Sequence, residues 1–139
     1  MKTIIFATLV ILLNLSLNAQ SNMNNKIPLS PSLKVGDLLF ISGQVGIDPT
    51  TSKLSDANFE AEVRQVMNNL QSQLKEHGLT LEHLASAIIY LKDMKNYSVL
   101  NEVYGSYFKD KFPTRTCIAV LDLPVKASVE ISGIAHFKK

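Results

Sequence analysis

Three side chains near the C-terminus carry the chemistry that this chain has to offer: the guanidinium of Arg115, the thiol of Cys117 and the carboxylate of Glu130. They lie in Pro113-Thr114-Arg115-Thr116-Cys117 and, beyond Leu123-Pro124, in Val129-Glu130-Ile131. Arg115 presents a planar fork of donors that matches a carboxylate at two points. On a strand, side chains two residues apart point to the same face, so Arg115 and Cys117 belong together. Glu130 sits in an alternating run read as the adjacent strand, and an anion clamp, a thiol and a carboxylate are expected to converge. Such a set would hold a small carboxylate and move protons beside it.

Each residue also has an ordinary role open to it. Arg115 could serve a surface ion pair, alternation could turn Glu130 to solvent, and a lone Cys is often small core filler. No His lies near Cys117 in sequence to activate it, so the thiol is not assigned as a nucleophile. Glu130, between Val129 and Ile131 on an apolar strand, is expected to have a raised pKa unless it is paired, which suits an acid/base that orients water.

These groups need elements to position them. The apolar run 38–42 between Gly36-Asp37 and Gly43 reads as a buried strand, and Val45-Gly46-Ile47 returns before Asp48-Pro49 turns the chain. From Asp56 as a candidate N-cap, Phe59, Val63, Val66, Met67, Leu70 and Leu74 recur at helical spacing until Gly78. Residues 84–91 read as a central strand, apolar on both sides. A second helix is predicted over 97–109, with Leu100, Val103, Tyr104, Tyr107 and Phe108 on its buried side and Pro113 forbidding its continuation. Strands are predicted over 116–121 and 128–137. This order fits an α+β domain with two helices on one face of a mixed sheet. The other face would remain partly apolar, and self-association would bury it.

The same blocks resemble the RidA/YjgF family of reactive-intermediate deaminases, also called L-PSP. The likeness rests on the Pro-x-Arg strand leading to Leu123-Pro124 and Val129-Glu130-Ile131. It extends through Lys34-Val35-Gly36-Asp37-Leu38-Leu39-Phe40-Ile41-Ser42-Gly43-Gln44, read as an opening hairpin with a Ser-Gly-Gln turn, and through Leu91-Lys92-Asp93-Met94 and Asn101-Glu102-Val103-Tyr104. It covers the chain from about Lys26 onward. The resemblance implies a chorismate-mutase-like fold, a homotrimer and sites in the clefts between subunits. It implies hydrolysis of 2-imino acids or their enamines to 2-keto acids and ammonia, with Arg115 on the carboxylate and with Glu130 and the backbone near Cys117 placing the water. Water is the only cosubstrate this requires, so no metal or organic cofactor is expected.

The resemblance also puts Ser42, Gly43, Asn101 and Tyr104 at the substrate pocket. Turn chemistry would equally explain Ser42 and Gly43, and the spacing of Tyr104 fits the apolar stripe of its helix. One departure stands out: many relatives carry Gly-Pro-Tyr-Ser where this chain has Ile27-Pro28-Leu29-Ser30, and Leu29 cannot donate a hydrogen bond. A non-enzymatic trimer that binds small carboxylates or acts as a chaperone is the alternative. A ribonuclease or translation inhibitor gains less support, since the sequence has no basic aromatic strip and no evident His pair. His77, His83 and His136 share no metal-ligand spacing.

Composition sets the remaining bounds. The 139 residues, 46% hydrophobic and 19% charged, suit one domain, expected over 27–139. With 14 Lys and Arg against 12 Asp and Glu, the net charge of +2 gives no reason to expect nucleic acid as a partner. Residues 1–19, with Lys2 before an apolar run from Ile4 to Leu17, have the form of a secretory signal peptide cleaved near Ala19, with 20–26 as a polar lead. The expected product is secreted or periplasmic, with no stable membrane anchor. Its one Cys excludes an intramolecular disulfide.

Overall fold

Alternation along Leu38-Leu39-Phe40-Ile41 drives one set of side chains into the interior and leaves the other outside, and that pattern repeats across a five-stranded sheet. The computed structural model describes residues 27–55 and 57–138. The expected signal peptide and polar lead, and the predicted cap at Asp56, lie outside the described residues. Strands β1 (Ser32–Val35) and β2 (Leu38–Val45) form a hairpin around Gly36-Asp37, where Gly36 takes the left-handed φ of +59° that such a tight turn demands. Two short strands, β3 (Ile47–Asp48) and β4 (Lys53–Leu54), make a separate small ladder.

Helix α1 runs over Phe59–Glu76. It starts at Asn58, whose Oδ1 accepts the Ala61 N–H at 2.8 Å and so satisfies a donor of the first turn. Val63, Val66, Met67, Leu70 and Leu74 form its buried stripe, and Gly78 ends it with φ +73°. Strand β5 (Leu84–Leu91) feeds helix α2 (Tyr97–Gly105), which returns the chain to β6 (Thr114–Ala119), parallel to β5 as a helical crossover allows.

Helix α2 ends short of the predicted residue 109. Beyond Gly105 the N–H groups of Tyr107 and Phe108 bond three residues back, to Tyr104 and Gly105, and the tightened turn closes the helix. Tyr107 and Phe108 still pack on the core from that turn. Strand β7 (Val129–His136) completes the sheet in the order β1-β2-β7-β5-β6.

Both helices cover one face of this mixed sheet. Leu39, Ile89, Leu91, Val129 and Ile131 are fully buried there against Val63, Met67 and Leu70 of α1 and Leu100 of α2. No described residue covers the opposite face. Leu33, Val35, Leu38, Phe40, Ile88 and Ile118 stand on it as exposed apolar side chains. The α+β architecture with one helix-covered face is therefore as the pattern of elements predicts.

Among the described residues one charged side chain goes into the interior. Glu62, on the first turn of α1, is buried, and its carboxylate accepts the Ser128 N–H at 2.6 Å where the chain enters β7. Gly46 leaves room for it, since a Cβ there would stand 2.7 Å from the Glu62 Cγ. The pair ties the start of the helix to the start of the central strand.

Candidate active site

Arg115 lies on β6, an edge strand, paired with Ala87 of β5, which in turn pairs with Gly133 of β7. Ala87 is buried toward the helices, so Arg115 projects to the same side. Helix α2 presents Tyr97, Asn101 and Tyr104 to it, spaced four and three residues apart and hence on one helical face. The Arg115 Nη2 donates to the Asn101 Oδ1 at 2.7 Å and to the Tyr97 hydroxyl oxygen at 3.2 Å. Its guanidinium carbon stands 5.2 Å from the centroid of the Tyr104 ring and 5.7 Å from that of Tyr97. Aromatic faces and an amide oxygen thus fix the cation in place.

Tyr104 is buried, and its hydroxyl has no hydrogen-bond partner among the described residues. Burial pushes the phenol pKa up to about 12, with the Arg115 charge acting the other way. It serves as the packed floor beneath Arg115. Cys117 follows on the same side, half-buried, and burial raises its thiol pKa against the opposing pull of Arg115. A thiol held in its neutral form is a poor nucleophile, and no group here activates it.

Glu130 is elsewhere. It pairs with Tyr90 of β5 and Val45 of β2, on the face opposite to the buried Val129 and Ile131, so it lies on the uncovered side of the sheet. The expected convergence of Arg115, Cys117 and Glu130 on two adjacent strands does not occur within one chain. Strand β5 separates β6 from β7, and Arg115 and Glu130 occupy opposite faces. The reason is topological. The helical crossover places β6 parallel to β5 at the edge, which leaves β7 to insert between β2 and β5. Glu130 is partly buried, and desolvation raises its pKa.

Ser42 and Gly43 lie not at a hairpin turn, as predicted, but inside β2, where its register against β7 shifts between Ile41 and Gln44. There the Ser42 hydroxyl donates to the Ser30 carbonyl at 2.6 Å, and the Gln44 Nε2 donates to the Ser42 carbonyl at 2.9 Å. The Glu130 carboxylate occupies the space that a Cβ on Gly43 would need. Gly43 and Glu130 therefore form one feature and Arg115, Asn101, Tyr104 and Cys117 another. Leu29, near Ser30, is exposed.

A mutation follows from the first feature. Gly43→Ala is expected to displace the Glu130 carboxylate, the flexible end of a side chain, and to leave the fold intact. Thermal melting should shift by no more than a few degrees, while any reaction that uses Glu130 slows about tenfold or more. Unchanged turnover would separate Gly43 from the carboxylate's function.

Sequence reasoning missed Tyr97, whose spacing from Asn101 and Tyr104 was the available signal. It also missed that His83 and His136, 53 residues apart in the sequence, bring their ring centroids within 6.2 Å. Among the described residues no group of three or more His, Cys, Asp or Glu side chains could hold a metal ion, and no helix is long and apolar enough to cross a membrane.

Comparison with known proteins places the chain. The family model described as Endoribonuclease L-PSP matches residues 20–137. A RutC family protein of Sulfurisphaera tokodaii is 40% identical over 107 residues, which cover 77% of this chain and 86% of that protein. Among solved structures, RidA from the Antarctic bacterium Psychrobacter sp. superposes with a TM-score of 0.77 at 32% identity, covering 81% of this chain and 91% of the other. TdcF of E. coli, solved with bound serine, gives 0.76 at 26% identity over 81% and 91% of the two chains. With the fold, the order of its motifs and these likenesses in agreement, the chain belongs to the endoribonuclease L-PSP family, the group of RidA, YjgF and RutC proteins.

Proposed function

We propose that this protein hydrolyses small 2-imino acids, or the enamines in equilibrium with them, to 2-keto acids and ammonia at sites shared between copies in a homotrimer. The observation that carries this reading is the division of the polar groups: a pre-set guanidinium at the sheet edge and a carboxylate with a raised pKa on an apolar face that no described residue covers. An apolar face of this extent favours association, and a neighbour's β6 edge laid against it would bring a foreign Arg115 toward Glu130 and Gly43. The bound serine of TdcF is a small α-carboxylate of the kind that Arg115 fits.

The chemistry then needs only water. Arg115 of one copy holds the substrate carboxylate beside the C=N carbon, in a fixed geometry that supplies proximity. With the imine protonated on nitrogen, Glu130 of the next copy takes a proton from water as the water oxygen bonds to that carbon and the C=N electron pair moves to nitrogen, giving a neutral carbinolamine. Glu130 then gives that proton to the amine nitrogen, and as the C–N bond breaks and the C=O forms, the hydroxyl proton leaves to water, releasing ammonia and the keto acid. Its raised pKa suits both directions of transfer.

Purified protein supplied with 2-iminopropanoate formed in situ should release pyruvate well above the rate in buffer, and should migrate as a trimer. Pyruvate formation no faster than in buffer would refute the reading. We further place the mature protein outside the cytoplasm, beginning at Gln20, on the signal-like character of residues 1–19. Recovery only of intact Met1 protein from the cytoplasm would overturn that placement.

A further inference from the structure

Both hydrogens of the Arg115 Nη2 are already in use. One goes to Asn101 and the other to Tyr97. A guanidinium binds a carboxylate at two points through either of two edges, Nε with Nη2 or Nη1 with Nη2, and both edges include Nη2. With its two hydrogens taken by protein acceptors, neither edge is open to a two-point ligand. Three hydrogens, one on Nε and two on Nη1, remain without an acceptor among the described residues, but Nε and Nη1 do not share an edge.

The two acceptors are not equivalent. Asn101 is half-buried and bonds at the short distance of 2.7 Å, whereas the Tyr97 hydroxyl bonds at 3.2 Å from a side chain that is 37% exposed. Asn101 is the fixed partner and Tyr97 the one that can leave. Resting on the reading of Arg115 as the carboxylate anchor, we infer that the Tyr97 hydroxyl is a built-in placeholder, occupying the position of one carboxylate oxygen until a small carboxylate displaces it. The ring then swings outward from Arg115, and the substrate's second oxygen takes its hydrogen bond.

A placeholder weakens binding, because the competent, Tyr97-out form is only a fraction of the population and the apparent Kd is the intrinsic one divided by that fraction. It also selects. A ligand that offers a single acceptor gains nothing by replacing one hydroxyl with another, whereas a carboxylate gains a charge-assisted pair. Tyr97 would thus hold the site against alcohols and amides and yield it to carboxylates.

The test uses pyruvate and purified protein. Calorimetry should find that Tyr97→Phe, which keeps the ring and loses the hydroxyl, binds pyruvate about 3- to 10-fold more tightly than the wild type. The chain has no Trp and four Tyr, so tyrosine emission is unobscured. Pyruvate should change that emission in the wild type and far less in Tyr97→Phe, a signature that a purely structural residue would not give. Equal or weaker binding by Tyr97→Phe, with pyruvate bound by both proteins, would overturn the placeholder alone. Absence of pyruvate binding in both would overturn the Arg115 reading and the placeholder with it.

Discussion

Replacing Glu130 by glutamine is expected to lower kcat for 2-iminopropanoate hydrolysis by about 100- to 10,000-fold, the range that a positioned acid/base contributes. Gln keeps the shape and much of the hydrogen bonding, so the loss isolates proton transfer. The pH profile should change with it. Water activation needs the ionised carboxylate, and burial raises the Glu130 pKa above its ordinary value. Wild-type activity should therefore rise with pH through that raised value, and the rise should vanish in the variant.

Stability should move the opposite way. A carboxyl whose folded pKa is raised favours the protonated form, so its contribution to stability is complete below the unfolded pKa and is lost as pH rises through the folded pKa. Above its raised pKa the fold carries an ionised, partly desolvated carboxylate, and Glu130→Gln relieves it. Denaturant titration at neutral pH should find the variant at least as stable as the wild type, with the difference gone in acid. A variant less stable at neutral pH would contradict the desolvated environment assigned to Glu130.

Arg115→Ala is expected to reduce kcat/KM by about 30- to 1,000-fold, corresponding to roughly 2–4 kcal/mol for the loss of charge-assisted hydrogen bonds to the substrate carboxylate. Arg115→Lys should recover little, because an ammonium carries the charge without the planar fork. Stability should fall too, since Asn101, Tyr97 and Tyr104 lose the cation they surround. Steady-state kinetics for a neutral imine provide the control: without a carboxylate, wild type and Arg115→Ala should turn it over at similar rates. A comparable loss on the neutral imine would move Arg115 from substrate anchoring to structural support.

Local pattern carried much of this structure. The stripe from Val63 to Leu74 announces α1, and the length and branched content of 84–91 announce β5. Candidate site residues were also legible, in that Arg115 and Glu130 stand out by type. Their relation in space was not. Alternation along a strand tells which residues share a face of that strand, but not which face of a neighbouring strand matches it. That depends on register and on strand order, and β7 pairs with β2 and β5 instead of β6. The shift at Ser42-Gly43 was hidden for a related reason, since an irregularity opposite β7 and a turn share the same residue types. Tyr97 escaped because its partner, Arg115, is 18 residues away in the sequence.

Co-assembly of the two variants tests the proposed shared site most directly. Arg115→Ala and Glu130→Gln chains, unfolded together in equal amounts and refolded, should give mixed trimers in which one of the three boundaries joins an intact Arg115 to an intact Glu130. Random mixing then restores roughly one quarter of the wild-type activity. Activity no greater than that of the separately refolded parents would place both groups' function within a single chain, or nowhere, and would contradict a site divided between neighbours.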